Sequence, residues 1–248
     1  IDFLQSLANV LADALDRHAI EDGIRHRALH DPLSGLPNRV LFLDRLEHAL
    51  ARVGRRGSMA AILFLDLDHF KLVNDSLGHH VGDELLTATA PRLRQAIRAT
   101  DTVARFGGDE FGILLEDIAG EHEAIEMAER IAATFTRPFV LAGNEHFVTA
   151  SVGIAIARGG ELAPELIRDA DAAMYRAKER GRARYELFDE IMRGRAIARL
   201  RVENDLRRAL ERDELRLDYQ PVVSLRDHSI VGLEALVRWD HPERGVVM

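Results

Sequence analysis

Three carboxylates fall where chemistry is possible. Asp66 lies near the end of the apolar run MAAILFLDLDHF (59–70), and Asp109 and Glu110 follow directly on the Gly107–Gly108 pair in RFGGDEFGILLED (105–117). If the run and the glycine hairpin are neighbouring strands with those ends on the same side, the carboxylates converge. Two like charges about 4 Å apart repel by roughly 4 kcal/mol at an effective dielectric of 20, so such a site is tolerable with a cation in it. Oxygen ligands without His or Cys favour a hard ion, magnesium first. Backbone without side chains at Gly107 and Gly108 leaves room for a bulky ligand to lie against it. On spacing alone a plainer reading stays open, in which Asp66 caps a strand and Asp109 and Glu110 are polar turn residues.

The elements that must position these acids can be read from periodicity and turn chemistry. The 59–70 run is short, nearly continuously apolar and ends in acids, as a strand buried on both faces does. Residues 102–116 alternate around Gly107–Gly108, a hairpin signal, because both central residues of a tight primed turn want positive φ. Helices are predicted at about 38–53, with Leu41, Phe42, Leu46 and Leu50 on one face, and at 79–99, where Pro91 should kink the helix or mark its start. Further helices are predicted at 121–136 and 162–180. A strand pair at about 138–142 and 146–156 flanks AGNE, and a short strand falls near 184–188. Hairpins interspersed with helices predict an α+β layer architecture.

Composition narrows the function classes. The chain has 248 residues, 47% apolar and 30% charged, which suits a globular protein with a substantial core. Its net charge of −8 argues against indiscriminate nucleic-acid binding, so an anionic ligand needs local Lys or Arg, or metal ions. There is no cysteine, which excludes disulfides and thiolate chemistry. No segment approaches the roughly 18 apolar residues of a membrane span, and a cytoplasmic location is expected. The sequence begins at Ile1, so it is read as a piece of a longer protein.

Beyond these readings, RFGGDEF resembles the signature of the GGDEF family, the diguanylate cyclases. The resemblance continues in DPLSGLPNR (31–39), DLDHFKLVNDSLGHHVGDELL (66–86), SVGIAI (151–156) and DADAAMYRAKERGRAR (169–184). It covers roughly 30–188 and implies a central, mostly antiparallel sheet flanked by helices, similar to adenylyl cyclase catalytic domains and polymerase palms. It also implies a reaction: two GTP molecules condense to cyclic di-GMP and release two pyrophosphates, across a homodimer in which each domain holds one GTP. By the family's pattern Asp66, Asp109 and the Leu67 carbonyl bind two magnesium ions, with manganese as a substitute. Glu110 binds metal or helps to deprotonate the 3′-hydroxyl. Asn74 and Asp83 match the guanine readers. Phosphate contacts fall to Lys71, Lys178 and Arg182 and to backbone amides near His69 and Phe70, with Lys178 and Arg182 four apart on one helical face. Gly107 and Gly108 give the nucleotide room. Arg98 and Asp101 fit the RxxD site where product binds and inhibits. No P-loop is present.

Both ends carry weaker signals. Residues 1–29 read as a helix with Leu4, Leu7, Leu11 and Ala14 at heptad spacing. FLQSLANVLADALDR resembles the last helix of a GAF sensor domain, which implies a signalling helix that sets the spacing of two cyclase domains. An arginine-rich linker helix is predicted at 189–213. ELRLDYQPVVSLRDHSIVGLEALVRWDHPERGVV (214–247) resembles the start of an EAL phosphodiesterase barrel, with Glu234 as a metal ligand in a whole domain. About two barrel strands are expected in 214–248, too few to close a barrel, so phosphodiesterase activity is not expected of this chain. The alternative to a cyclase is a catalytically silent module that binds GTP or cyclic di-GMP and regulates the barrel.

Overall fold

β1 (Met59–Leu67) is buried along almost its whole length, and its alternation divides the core in two. Ala61, Leu63, Leu65 and Leu67 belong to one cluster, and Ala60, Ile62 and Phe64 to the other. A strand apolar at nearly every position needs cover on both faces, and here it has both. The computed structural model describes residues 27–53, 58–189, 205–206, 208–210, 212, 214–226, 228–242 and 245–247. The chain divides into two units, Ile1–Glu190 and Ile191–Met248.

In the first unit β1 pairs antiparallel with β3 (Glu110–Ile118) on one side and with β6 (Ala150–Ala157) on the other. β2 (Thr102–Gly107) closes one edge and β7 (Tyr185–Leu187), parallel to β6, the other. The order is β2-β3-β1-β6-β7. This is the α+β architecture with a mostly antiparallel sheet that the sequence predicts. The first core face is covered by α3 (His79–Ala96) and α4 (Glu121–Thr134), through residues such as Leu85, Leu93, Met127 and Ile131. The second is covered by α1 (Arg39–Leu50), through Phe42 and Leu46, and by α5 (Ala163–Glu179), through Leu166, Ala170 and Met174. At α1, Asn38 caps the helix by accepting from the amides of Val40 and Leu41.

α5 lies unusually close to the sheet. A Cβ on Gly153 of β6 would fall 2.0 Å from the Ala170 carbonyl oxygen and 2.1 Å from the Met174 nitrogen. Only glycine permits that contact between helix backbone and strand.

The structure corrects several expectations. The central residues of the β2–β3 turn are Gly108 and Asp109, not Gly107 and Gly108, since Gly107 pairs with Glu110 as the last residue of β2. Both glycines still have positive φ, 143° and 50°. A register shift between Arg105 and Gly107 absorbs the extra residue. The strand expected over 146–156 is two: β5 (Asn144–His146) pairs only with β4 (Phe139–Leu141) in a separate hairpin, and β6 starts at Ala150. That small hairpin turns at Ala142–Gly143, where both φ angles are positive, as a primed turn requires. Pro91 sits inside α3 rather than at its start. A short helix, α2 (Phe70–Leu77), precedes α3 across Gly78, whose φ is 89°.

The hairpin tip is tied to the chain that precedes α1. Arg105 donates through Nη1 to both carboxylate oxygens of Asp31 at 2.9 Å, and through Nε and Nη2 to the Gly108 carbonyl at 3.0 and 2.8 Å. Asp31 in turn accepts from the Ser34 amide and hydroxyl at 2.8 and 2.6 Å. Burial pushes the Asp31 carboxyl up, but the bonds from Ser34 and Arg105 outweigh it and hold the group below its usual range.

In the second unit, residues 205–206 and 208–210 are helical, and β8 (Leu215–Val223), β9 (Ile230–His241) and β10 (Gly245–Val247) form an antiparallel sheet in the order β10-β9-β8. Among the described residues there are three strands, where about two barrel strands are expected from sequence, because Gly245–Val247 pairs back antiparallel on the end of β9. Leu217, Tyr219, Ile230, Val231 and Leu233 are exposed, while Trp239 and His241 are buried. Most of the N-terminal helix and of the linker helix expected from sequence lies outside the described residues.

Arg105 serves two acceptors that nothing else in its fork could share. Arg105→Ala should lower the melting temperature by roughly 5 °C, measured by circular dichroism. Arg105→Lys should recover little of that loss, because one ammonium cannot reproduce the planar fork.

Candidate active site

The antiparallel register places the acids. Asp66 stands opposite Glu110 of β3 and opposite Ser151 of β6. The Leu67 amide donates to the Asp109 carbonyl at 3.3 Å, so the β2–β3 turn is bound to the end of β1. Asp66, Leu67, Asp109 and Glu110 thus meet at one end of the sheet, and by alternation Asp66 and Glu110 share the face covered by α1 and α5. α5 delivers Lys178, whose Nζ lies 2.7 Å from Asp66 Oδ2.

The electrostatics record the crowding. Burial raises the Asp66 carboxyl; the Lys178 bond opposes this, and Asp109 and Asp68 add to it. Burial also raises Glu110, with Asp171, Asp66 and Asp109 contributing and Lys178 opposing. Asp171 of α5 is itself raised by the protein around it, again against Lys178. Lys178 is therefore the cation shared by several acids, and its ammonium stands where a hard ion would relieve them. Among the described residues no group of three or more His, Cys, Asp or Glu side chains is gathered to hold a metal. The groups here that could hold a divalent ion are two carboxylates, Asp66 and Asp109, and the Leu67 carbonyl, all of them oxygen.

Asp68 was not singled out from sequence, yet it organises the neighbouring loop. Its buried carboxylate accepts from the hydroxyls of Thr149 and Ser151, both at 2.7 Å, and from the Ala183 amide at 3.0 Å. The last bond holds the turn after α5, where Arg182 and Ala183 have φ of 61° and 50°. Arg182 is therefore not on the helical face of Lys178 as expected. The helix ends at Glu179, and Gly181, at φ 109°, breaks it. Two acids spaced by one residue at a strand end are the signal that marks Asp68, since alternation sends them to the same side of the strand.

The phosphate and base candidates lie next along the chain. His69, at φ 61°, precedes α2, so the amides of His69, Phe70 and Lys71 lie at a helix N-terminus, where amides lack intrahelical partners. Lys71 is exposed. Asn74 lies midway along α2 with its side chain against Gly82 of α3, and the next residue of α3, Asp83, is exposed. A Cβ on Gly82 would fall 2.0 Å from Asn74 Oδ1, so the glycine makes the space that the amide occupies. Gly107 and Gly108 are exposed at the hairpin, and a Cβ at either would meet nothing within 4 Å.

Arg98 and Asp101 are at the opposite end of the sheet, because β2 runs its full length between Asp101 and Gly107. Asp101 is buried, and its Oδ2 accepts from the Arg98 amide at 3.0 Å. Burial raises its carboxyl despite that bond and the charges of Arg98 and Arg130. Arg130 of α4 lines the same depression, as does Glu123, and neither was read from sequence. Each is one charged residue on a charged helix, so position in the fold alone singles them out. Glu234 lies in β9 opposite Gln220, in the second unit.

The sheet order and flanking helices define an α+β domain with acids gathered at one end of the sheet, and comparison with known families makes the class specific. The chain belongs to the GGDEF family: the family model "Diguanylate cyclase, GGDEF domain" matches residues 28–184, and the EAL domain model matches residues 203–248. Two relatives come from Pseudomonas aeruginosa. The bifunctional diguanylate cyclase/cyclic di-GMP phosphodiesterase MucR is 44% identical over 98% of this chain and 35% of its own length, and the cyclic di-GMP phosphodiesterase NbdA is 41% identical over 98% and 31%. The chain thus spans about a third of the length of these curated relatives. Among solved structures, the coiled coil and GGDEF domain of DgcB from Caulobacter crescentus, in complex with c-di-GMP, superposes with a TM-score of 0.68. It is 28% identical, covering 75% of this chain and 100% of that one. A GGDEF-only form of TpbB (YfiN) from P. aeruginosa superposes with a TM-score of 0.62 at 39% identity, covering 64% and 94%. Among the described residues no helix is long and apolar enough to cross a membrane.

The crowded acids have a thermodynamic consequence. The unfolded chain ionises Glu110 near its ordinary value of 4.5, whereas the folded protein keeps the proton to higher pH. Between those values the folded state binds more protons, so stability falls as pH rises through the raised value. Glu110→Gln should raise the melting temperature in EDTA by about 1–3 °C at neutral pH, and the gain should vanish on the acid side of 4.5. Thermal unfolding across pH measures this.

Proposed function

We propose that the GGDEF domain of this chain is a magnesium-dependent diguanylate cyclase that joins two GTP molecules into cyclic di-GMP. The observation that carries this reading is the register pairing of Asp66 with Glu110, with Asp109 bonded to Leu67 beside them. Acids held together at a strand end without a neutralising partner for each are poorly explained as turn polarity. Asp66, Asp109 and the Leu67 carbonyl would hold the ions, whose contribution when bound is positive charge against the phosphates and a lowered pKa for the 3′-hydroxyl. The 3′-oxygen of one GTP attacks the α-phosphorus of the other, the bond to the β-phosphate oxygen breaks, and pyrophosphate leaves; a second round closes the ring.

This chain's own groups bind and orient. The amides at the start of α2, with Lys71 and Arg182, take phosphate oxygens. Lys178 exchanges Asp66 for a phosphate once that carboxylate has another cation. Glu110 serves the ions or the hydroxyl proton. Asn74 and Asp83 read guanine: a carboxylate accepts from N1–H and the exocyclic amine together, and adenine has no donor at N1, so the wrong base leaves the acid unpaired. Gly107 and Gly108 leave open backbone for the nucleotide. One domain presents one GTP, so turnover needs two domains face to face, arranged through the GGDEF domains and the N-terminal helix, in the cytoplasm where GTP is found. Arg98 and Asp101 bind the product and slow the enzyme.

A second reading is a GTP-binding regulatory module for an EAL domain, in which Glu234 would be a metal ligand. It is favoured by one observation: NbdA, similar over almost the whole chain, carries only a phosphodiesterase name. GTP binding without turnover in a forced dimer would select it.

Incubated with GTP and magnesium, after removal of bound nucleotide, the protein should release pyrophosphate and cyclic di-GMP. Asp109→Asn should reduce that rate at least about 100-fold with an unchanged circular dichroism spectrum. Retained turnover would contradict the metal assignment. Gly82→Ala should push Asn74 from its place and weaken GTP binding about tenfold, with little change for a nucleotide lacking the guanine amine. Titration calorimetry with GTP and ITP measures the difference.

A further inference from the structure

We infer that Glu123 competes with ligand for Arg98 and so sets how tightly the RxxD site binds cyclic di-GMP. This rests on the reading of Arg98 and Asp101 as the product site and adds the residue that tunes it. Arg98 donates through Nη2 to Glu123 Oε2 at 3.1 Å. The other oxygen, Oε1, accepts from the Ala119 amide at 2.7 Å. Glu123 is thus anchored on the backbone before α4, and it lies in the first turn of that helix, where a negative charge is favoured. Its side chain is 18% exposed and that of Arg98 58%, so the mobile partner of the pair is the arginine.

The turn that carries Arg98 does not depend on this contact. The Arg98 amide is bonded to Asp101 Oδ2, and the Asp101 amide to the Arg98 carbonyl at 3.1 Å. The guanidinium can leave Glu123 without undoing the turn. A ligand that takes the Nη2 group must displace Glu123 from it, and the depression lined by Arg98, Asp101, Glu123, Glu126, Met127 and Arg130 encloses only about 10 Å³, room for a single water, so cyclic di-GMP meets Arg98 at its rim and not within it. Its charged lining is also unfavourable as it stands. Two cations, Arg98 and Arg130, face three acids, Asp101, Glu123 and Glu126. Cyclic di-GMP carries two phosphodiester charges, so it must take Arg98 from an existing carboxylate partner and tolerate that carboxylate nearby.

Glu123→Gln keeps an oxygen for the Ala119 amide and removes the charge. The test is calorimetric titration of cyclic di-GMP onto the full chain, stripped of bound nucleotide, for wild type, Glu123→Gln, Arg98→Ala and the double variant. Glu123→Ala serves as a second probe, with melting temperature as a check on folding. Glu123→Gln should tighten binding about two- to five-fold, the range expected for freeing one partner of a partly exposed ion pair. Arg98→Ala should lose most binding, and Glu123→Gln should then have no further effect. If Arg98→Ala weakens binding while both Glu123 variants leave it unchanged or weaker, the competitor role is overturned and the product site stands. A gain that persists without Arg98 also overturns it. Unchanged binding by Arg98→Ala overturns the product site itself.

Discussion

The pairing of β1 with β3 is the constraint on which the candidate site depends. A strand buried on both faces has no freedom to slip, because a shift of one residue would exchange the two core faces and send every side chain to the wrong cluster. Hydrophobic packing of Ile62, Leu63, Phe64 and Leu65 therefore sets where Asp66 falls, and Asp66 falls opposite Glu110. The apolar core does the positioning, and the charged end of the sheet is carried with it.

That arrangement is unfavourable by itself. Burial raises Asp66, Glu110 and Asp171, repulsion from neighbouring acids adds to it at Asp66 and Glu110, and Lys178 offsets only part of this. The fold tolerates the strain because α5 is pressed onto β6 at Gly153, which brings the lysine within bonding distance of Asp66. Asp68, facing Thr149, Ser151 and the loop after α5, ties the other side. In the proposed cyclase these under-neutralised acids receive the cation, and stability is given up for that readiness.

Two further ties shape the periphery. Arg105 joins the hairpin tip to Asp31, so the segment before α1 is mechanically coupled to the turn that holds Asp109. At the far end of the sheet, Arg98 is held by Glu123, which is itself fixed to backbone. Both arginines connect segments distant in sequence, Arg105 through all three guanidinium nitrogens and Arg98 through Nη2.

Much of this was legible in the residues. The buried run at 59–70 and the double glycine before two acids announced a strand and a hairpin, because period and turn chemistry are local properties. The family motifs placed Asp66, Asp109, Asn74 and Asp83 in their roles as expectations. What stayed illegible was whatever depends on exact register or on contacts across the fold. The turn fell one residue later than Gly107–Gly108, since the bulge after Arg105 is set by pairing with β3. Arg182 left the helix because Gly181 and the Asp68 bond to Ala183 turn the chain there. Asp171, Glu123 and Arg130 carry no local mark that separates them from other charged residues, and Asp68 is marked only by its spacing from Asp66. The sequence alone determined which residues could do chemistry and which segments would carry them, for hydrophobic period and glycine placement act within a few residues. Only the tertiary structure decided which charges meet, because that follows from how the sheet and helices pack over distances the sequence does not express.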